Sequence, residues 1–354
     1  MSASGSSRAA ATASDERLLR VGVAGYGYWG PNLARNAAQN IRIELVTIAD
    51  LNPARLSAAR RAYPAARLTA DVHELLADPT IDAVFIATPP DTHCALVLEA
   101  LERGKHVLVE KPLATDVGDA ERMVAAARAA GRILAVDHTY LFTSAVQKMK
   151  QYFDSGEMGD VYYYDSTRIN LGIFQSNINV IWDLAPHDIS MMLYLLDRPV
   201  ETVSALGARH IDLEHENIAY MTLKLAGGAL AHFHMNWLAP TKIRRTIIGA
   251  SRKMLVYDDI EPVEKLKVYD CGAQLITDVE DLYGRLVEYR TGDVLAPRLD
   301  NTEALAVEVE HFVDVVRGRA EAISDGALGA RVVRIIEAAQ RSLRNGGVPE
   351  RVPQ

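Results

Sequence analysis

The chain has 354 residues, with 38 basic and 46 acidic side chains and a formal net charge of -8 at neutral pH. This length allows two ordinary domains, and 49% hydrophobic with 24% charged residues is typical of a globular protein in water. The acidic balance argues against a nucleic-acid partner, and no apolar run approaches the ~20 residues of a membrane span. Two cysteines without metal-ligand spacing indicate a reducing compartment, the cytoplasm, and no metal site.

Residues 1–16 are expected to form a disordered tail. Ser, Ala, Thr and Gly dominate this segment, and it has no apolar core for a secretory signal. Its first acidic residue is Asp15, a feature that it shares with transit-like leaders. The composition favours a disordered terminus over a leader.

Residues 17–138 alternate short apolar runs with helical stretches. Such runs are typical of parallel strands that helices bury on both faces. We therefore predict an α/β fold whose N-terminal domain is a doubly wound, parallel Rossmann sheet. The predicted strands are 19–24, 43–49, 83–87, 106–109 and 133–136, and the predicted helices are 30–39, 53–62, 92–103 and 116–130.

Residues 139–354 have a different pattern, with several strands that follow one another without crossover helices. Gly227-Gly228 between two of them is a strong hairpin signal. We predict a substrate-binding α+β domain with an open, mainly antiparallel sheet, closed by two helices that pack back on the first domain. The predicted strands are 159–170, 217–225, 229–238, 243–249, 254–257 and 266–269, and the closing helices are 302–316 and 327–343.

A glycine turn, Gly25-Tyr26-Gly27-Tyr28-Trp29-Gly30, joins the first predicted strand to its helix. Gly25 permits a tight turn, Gly27 lets a pyrophosphate approach the backbone, and Gly30 allows the helix to pack against the strand. The amides of the helix N-terminus then face the phosphates. We predict that this turn, Tyr28 and Trp29 included, binds a dinucleotide.

Asp50 follows the second predicted strand, 20 residues after Gly30, where an acid binds ribose hydroxyls. A carboxylate repels a 2′-phosphate, so we expect NAD as the cofactor. Arg55, one turn into the next helix, partly offsets this repulsion and leaves NADP possible. A methyltransferase shares the turn and the acid, so these residues alone do not specify redox chemistry.

Lys111 lies at the carboxyl edge of the fourth predicted strand, where open parallel sheets bind ligands. Pro112 biases Lys111 towards an extended backbone, which aims the amine at the crevice. Hydride transfer from an alcohol must be matched by proton transfer at its oxygen, and a lysine amine can perform this step. A surface lysine is the simpler interpretation, but the adjacent buried run and Glu110 favour a functional one.

Asp183 and His187 are four residues apart, so on a helix they share one face. His187 could then exchange the substrate proton while Asp183 orients it or binds a hydroxyl. The alternative is a helix cap at Asp183 and a core histidine whose hydrogen bonds are satisfied, and spacing alone favours this alternative. Both residues are also zinc-ligand types, but no third ligand with suitable spacing is evident.

Two further groups of polar residues lie on predicted strands. Arg168 and Asn170 share one strand face and could contact sugar hydroxyls or the cofactor. Lys242 and Arg244 also share a face and could pair with phosphates, although such charges are more often simply solvated.

In this order, the motifs resemble the glucose–fructose oxidoreductase/inositol dehydrogenase (Gfo/Idh/MocA) family from about residue 20 to 347. The tripeptide Glu110-Lys111-Pro112 is the most specific element of the resemblance. The resemblance implies a Rossmann domain and a C-terminal domain whose open sheet forms subunit contacts, hence a homodimer or homotetramer. It implies Lys111, Asp183 and His187 as the catalytic group, and it also implies these cofactor-lining residues: Thr88, Pro89, His93 and Glu110.

Four segments are similar to a branch of this family that acts on nucleotide-linked sugars, with dehydrogenases and ketoreductases that work at sugar C3. They are residues 27–32, 137–140, 168–172 and 182–188. Ala185-Pro186 and Thr139-Tyr140 stand where the wider family often has Asp-x-Gly-x-His and an Asn-Arg pair. The resemblance implies an NAD-dependent oxidoreductase that interconverts a sugar alcohol and its ketone. The alternatives are a free-sugar or inositol dehydrogenase, an NAD-dependent glycoside hydrolase, and a non-catalytic binding protein.

Overall fold

A computed structural model describes residues 17–172, 178–211, 214–276 and 286–353. The predicted tail at 1–16 lies outside the described residues. In the ranges that are described, no helix has both the length and the apolar character of a membrane span.

A six-stranded parallel sheet forms the centre of the N-terminal half, in the order β3-β2-β1-β4-β5-β6. The predicted doubly wound α/β fold is confirmed, and its five predicted strands and four predicted helices are present within a few residues. The structure adds β3 and α3, which the sequence analysis did not assign. The elements are β1 Leu19–Ala24, α1 Gly30–Gln39, β2 Ile43–Ala49, α2 Pro53–Ala62, β3 Arg67–Thr69, α3 Val72–Ala77, β4 Ala83–Ile86, α4 Pro90–Glu102, β5 His106–Glu110, α5 Val117–Ala130 and β6 Leu134–Asp137.

A nine-stranded sheet forms the C-terminal half, in the order β16-β13-β12-β11-β7-β10-β9-β8-β17. Its neighbouring strands are antiparallel except at its centre, where β7 and β10 run parallel. The predicted mainly antiparallel sheet is therefore confirmed. The elements of this half are a 3-10 helix Thr139–Phe142, α6 Ser144–Asp154, β7 Val161–Leu171, α7 Val180–Leu196, β8 Val200–Ala208, β9 Ile218–Leu225, β10 Leu230–Asn236, β11 Leu238–Ala250, β12 Met254–Asp258, β13 Leu266–Tyr269, β14 Gly272–Ile276, β15 Leu286–Arg290, β16 Val294–Leu295, α8 Ala304–Val316, α9 Gly326–Arg344 and β17 Glu350–Arg351. Strands β14 and β15 pair with each other in a separate two-stranded sheet.

Helix α7 carries Asp183 and His187, and its start is set by Asn179. The Asn179 side chain accepts a hydrogen bond from the Trp182 amide, which satisfies one of the free amides of the first turn. Asn179 is thus the cap, and the alternative that Asp183 caps this helix is wrong. The apolar side of α7 packs with α9 against one face of the second sheet. On the opposite face, four large side chains stay exposed: Tyr162, Leu206, Tyr220 and Leu230.

The two closing helices connect the halves of the molecule. Helix α8 shares a buried cluster with β1 and β4, in which Phe312 packs edge-on against Phe85 at 5.5 Å between ring centroids. Helix α9 contributes Val333 to the core beside α5 and Ile336 to the core under the second sheet. The crevice between the halves is therefore held by packed apolar contacts on both sides.

Candidate active site

The predicted cofactor residues lie at one edge of the first sheet. Because β1, β2, β4, β5 and β6 are parallel, the segments after their carboxyl ends meet there. The glycine turn follows β1, Asp50 follows β2, Thr88 follows β4, and Lys111 follows β5 directly and is joined to Pro112 by a cis peptide bond.

The glycine turn has the shape that a dinucleotide pyrophosphate needs. Gly25 has φ = 92°, and a Cβ there would lie 2.4 Å from the Ala87 carbonyl oxygen. A Cβ on Gly30 would lie 2.0 Å from the Gly25 carbonyl oxygen. At Gly27, by contrast, the nearest atom that a Cβ would meet is in the Arg55 guanidinium at 3.5 Å, so the backbone is open to a ligand. These residues fit the cofactor. Tyr28 beside them is 88% exposed.

Asp50 is held by the backbone on both of its carboxylate oxygens. Oδ2 accepts the Tyr26 amide at 2.6 Å, and Oδ1 accepts the Asn52 amide at 2.8 Å. The Arg55 guanidinium lies 3.5 Å from Oδ2 and is half exposed. The carboxylate is therefore fixed beside the glycine turn. The Arg55 guanidinium next to it is a group with which a 2′-phosphate could pair.

Asp50 and Arg55 give a prediction about the choice of cofactor. We expect Asp50→Asn to shift the ratio of the NADP and NAD dissociation constants towards NADP by about tenfold, or ~1.4 kcal/mol, because the repulsive charge is removed. Arg55→Ala should shift the same ratio towards NAD. Fluorescence titration of both reduced cofactors measures the ratio, and an unchanged ratio in both variants would contradict this assignment.

His93 is fully buried and connects the two loops that follow β4 and β5. Its ring nitrogens lie 3.0 Å from the Thr88 carbonyl oxygen and 3.0 Å from the Pro112 carbonyl oxygen. Burial lowers the pKa of His93 from its usual 6.5. The structure thus places His93 behind the loops, whereas Thr88 is half-buried and Pro89 is exposed at the rim of the crevice.

Three carboxyl groups lie together beneath the crevice. Glu110 of β5 and Asp137 of β6 are register partners, and Glu308 of α8 lies against both. Asp137 accepts hydrogen bonds from the Trp29 indole at 2.5 Å and from the Thr139 hydroxyl. Burial and then the charge of Asp137 raise the pKa of Glu110 and Glu308 well above 4.5. Asp137 thus anchors the glycine turn to the end of β6.

Glu308 gives a prediction about stability and pH. Its raised pKa means that the folded state binds the proton more tightly than the unfolded state, so stability falls as the pH rises above the unfolded pKa of about 4.5. Glu308→Gln stays neutral, and we expect it to be more stable than the native chain at pH 8 by at least about 1.4 kcal/mol, the equivalent of a tenfold change in proton affinity.

Urea denaturation at pH 5 and pH 8 measures this difference. Glu310→Gln on the same helix is the matched control, because Glu310 is half exposed and pairs with Arg42. We expect the control to lose no more than about 1 kcal/mol, the usual value of a surface ion pair. Equal pH dependence in Glu308→Gln and the native chain would show that Glu308 does not hold its proton.

Lys111 and Asp183 meet across the crevice. The Lys111 Nζ donates to the Asp183 carbonyl oxygen at 3.0 Å and lies 3.8 Å from Asp183 Oδ1. The Trp237 indole donates to the other carboxylate oxygen of Asp183 at 3.0 Å. Because α7 is a helix here, His187 lies one turn after Asp183 on the same side. Residues from three distant parts of the chain therefore converge on one place.

The imidazole of His187 does not have the satisfied hydrogen bonds of an ordinary core histidine. Its Nδ1 is buried, and no hydrogen-bond partner for it occurs among the described residues. Burial, then the charges of Lys111 and Arg168, hold the pKa of His187 well below 6.5. His187 is therefore neutral at pH 7, and its imidazole can form a hydrogen bond with a substrate hydroxyl. Tyr140 packs edge-on against the ring at 5.0 Å between centroids.

Arg168 is occupied by neighbouring side chains of the protein. Its Nε and Nη2 donate to the two carboxylate oxygens of Asp188 at 2.9 and 2.8 Å, and its Nη1 donates to the Tyr140 hydroxyl at 3.0 Å. The Arg168 and Asp188 side chains are only 5% and 3% exposed. Arg168 and Tyr140 thus form the side of the site next to His187, which we call the His187 wall. Asn170 on the same strand remains half-buried.

Arg244 approaches the same wall from β11. Its Nη1 donates to the Tyr140 hydroxyl at 2.6 Å and lies 3.3 Å from Asp259 Oδ2. Lys242 is exposed. The sequence analysis proposed no role for the individual side chains of Tyr140, Asp188 or Trp237, although the first two lie in the quoted motifs 137–140 and 182–188.

No group of three or more His, Cys, Asp or Glu side chains within the described ranges could hold a metal ion.

Comparison with known proteins agrees with this geometry. The chain matches the NAD-binding Rossmann domain model of the GFO/IDH/MocA oxidoreductases over residues 19–138 and the C-terminal domain model of that family over 146–255. A solved structure from Magnetospirillum magnetotacticum MS-1 is 31% identical, covers 91% of this chain and 99% of its own, and has a TM-score of 0.76.

Several of the named relatives are sugar or inositol dehydrogenases. The UDP-N-acetylglucosamine 3-dehydrogenase of Acidithiobacillus ferrooxidans is 28% identical over 89% of this chain and 94% of that protein, and a solved structure of it has a TM-score of 0.77 over 92% and 97%. The myo-inositol 2-dehydrogenase of Thermotoga maritima is 27% identical over 68% of this chain and 72% of that protein. The chain therefore belongs to the Gfo/Idh/MocA family of NAD-binding oxidoreductases, which contains sugar and inositol dehydrogenases acting on CH–OH groups.

Proposed function

We propose that this protein is an NAD-dependent dehydrogenase or ketoreductase that interconverts the secondary alcohol and the ketone at C3 of a nucleotide-linked sugar. Its cofactor domain is residues 17–138 and its substrate domain is residues 139–354. The protein works in the cytoplasm as a homodimer or homotetramer that forms through the open face of the second sheet, where Tyr162, Leu206 and Tyr220 are exposed.

The convergence of Lys111, Asp183 and His187 carries this proposal. An alcohol can lose a hydride only if its hydroxyl proton is removed at the same time, which needs a group at the oxygen. The Lys111 amine, held at 3.0 Å by the Asp183 carbonyl, and the neutral imidazole of His187 approach one place from opposite sides of the crevice.

Bound NAD supplies the hydride acceptor, a nicotinamide ring. The glycine turn and Asp50 hold the dinucleotide, and Thr88, Pro89 and Glu110 line its path towards Lys111. Lys111 binds the substrate oxygen and exchanges the hydroxyl proton with it, the neutral imidazole of His187 hydrogen-bonds the same oxygen, and Asp183 orients both through the helix that carries it. Trp237 keeps the Asp183 carboxylate in place through its indole hydrogen bond.

Two features support a nucleotide-linked sugar. The similarity to the UDP-N-acetylglucosamine 3-dehydrogenase extends over 89% of this chain. Arg244 and Lys242 on β11 place positive charge near the His187 wall, where a diphosphate would find donors. Asn170, which is half-buried on the adjacent strand β7, would face the sugar, while Arg168 stays paired with Asp188 behind it.

A second candidate is a free-sugar or inositol dehydrogenase, which the similarity to the myo-inositol 2-dehydrogenase of Thermotoga maritima favours. Absorbance of NADH, measured with UDP-N-acetylglucosamine, glucose and myo-inositol, separates the two candidates. We expect the largest kcat/KM for the nucleotide sugar, and a larger value for myo-inositol would overturn our choice. If NADH forms and disappears within one turnover while a glycosidic bond breaks, the protein is a glycoside hydrolase.

A further inference from the structure

The residues 137–140, which we call the connector, join the cofactor side of the crevice to the substrate side. Asp137 at its start accepts the indole hydrogen bond of Trp29 from the glycine turn. Tyr140 at its end is held by Arg168 and Arg244 from the second sheet. His138 lies between these anchors, and the proposed function does not use it.

His138 is 1% exposed, and neither of its ring nitrogens has a hydrogen-bond partner among the described residues. Its backbone is satisfied, because its amide donates to Val136 and its carbonyl accepts from Leu141. A buried polar group without a partner costs about 1–3 kcal/mol, and native proteins rarely keep one that does nothing. The unsatisfied ring therefore needs a functional explanation.

The register of the first sheet places His138 beside Lys111. Glu110 of β5 pairs with Asp137 of β6, and these two carboxyl side chains interact on one face. Lys111 and His138 each follow directly after these strand ends, so their backbones lie next to each other at the carboxyl edge of the sheet. At this edge Lys111 also meets Asp183.

The electrostatics of the two side chains agree with this placement. Burial and then the charge of Lys111 lower the pKa of His138 to about 3, so its ring is neutral and has one free acceptor nitrogen. A neutral acceptor beside an ammonium is a hydrogen-bond partner without charge repulsion.

We propose that His138 is a positioning residue for Lys111: its acceptor nitrogen receives a hydrogen bond from the Lys111 amine when the amine leaves the Asp183 carbonyl and turns to the substrate oxygen. This inference rests on the proposed function of Lys111 but not on the identity of the sugar. His138 acts through Lys111, and its ring is paired in the working arrangement of the site.

Substitution by leucine, with asparagine as the conservative variant, tests the kinetic part of this proposal. We expect His138→Leu to lower kcat by about tenfold or more, the scale of a misplaced catalytic group, with KM and the NADH dissociation constant little changed. His138→Asn keeps an acceptor oxygen and should recover most of kcat. A rise in KM at constant kcat, or an asparagine variant no better than leucine, would overturn the proposal.

Two measurements need no sugar, so they remain decisive if the proposed function fails. His138→Leu should unfold at the same or a higher temperature than the native chain, since it removes an unsatisfied buried group. His106→Leu at the opposite edge of the same sheet is the control, and it should unfold at a lower temperature because His106 accepts the Ile133 amide.

The second measurement is the rate at which reductive methylation modifies Lys111, followed by mass spectrometry of its peptide. We expect Lys111 to react faster in His138→Leu than in the native chain, because an amine that has left the Asp183 carbonyl then has no acceptor to hold it, while Lys148 reacts at the same rate in both. Equal rates at Lys111, or a lower unfolding temperature in His138→Leu, would show that His138 is only structural.

Discussion

Replacing Lys111 by alanine should lower turnover by about 100-fold or more, the usual contribution of an acid–base group, while NADH still binds. The reason is that the Lys111 amine contacts Asp183 in the candidate site, and Asp183 lies one helical turn before His187 on α7. Without this amine, the site lacks the lysine that exchanges the substrate proton. NADH fluorescence titration and steady-state rates with the preferred sugar measure the two quantities.

Two variants separate proton transfer from charge. Lys111→Arg keeps the positive charge, but arginine does not give up its proton, so its turnover should stay close to that of the alanine variant. Lys267→Ala, at an exposed lysine that pairs with Glu264, should leave turnover unchanged. Near-normal turnover in Lys111→Ala would remove Lys111 from the mechanism.

Asp188→Asn should destabilise the protein by about 3–5 kcal/mol, the cost of leaving one buried charge without its partner. Asp188 holds Arg168 through two hydrogen bonds, and both side chains are nearly inaccessible to water. The free energy of unfolding from urea denaturation measures the loss.

Asp197→Asn is the matched control, because Asp197 pairs with Arg331 at 3.8 Å on the surface with its side chain 86% exposed. The same chemical change there should cost no more than about 1 kcal/mol. The double variant Arg168→Met with Asp188→Leu should recover most of the stability, since apolar side chains can replace a buried pair. Equal losses of unfolding free energy in Asp188→Asn and Asp197→Asn would show that burial does not make the Arg168–Asp188 pair more costly to break than a surface pair.

The sequence was enough to predict the parallel sheet, because each of its longer strands is a mainly apolar run between helical stretches. Strand β3 was not predicted, because Arg67–Thr69 is only three residues long and has one apolar side chain. The parallel pairing of β7 with β10 could not be predicted either. Alternation along a strand tells which residues face the core, but not which strand lies next to it.

For the candidate site, local signals located the residues that share a turn or a helix. The glycine turn, the Glu110-Lys111-Pro112 tripeptide and the four-residue spacing of Asp183 and His187 are all of this kind. The contacts that fix them are long-range: Trp237 to Asp183 spans 54 positions and Arg244 to Tyr140 spans 104. No local pattern contains such pairs, so they needed the folded chain.

Isotope transfer tests the central claim most directly, namely that the enzyme removes a hydride from C3 of a nucleotide-linked sugar and passes it to NAD. UDP-N-acetylglucosamine carrying deuterium at C3 is incubated with the enzyme and NAD, and the mass of the NADH formed is measured by mass spectrometry. We predict that the reduced cofactor contains the deuterium from C3, and that sugar labelled at C4 yields unlabelled NADH. Unlabelled NADH from the C3-labelled sugar would contradict the account.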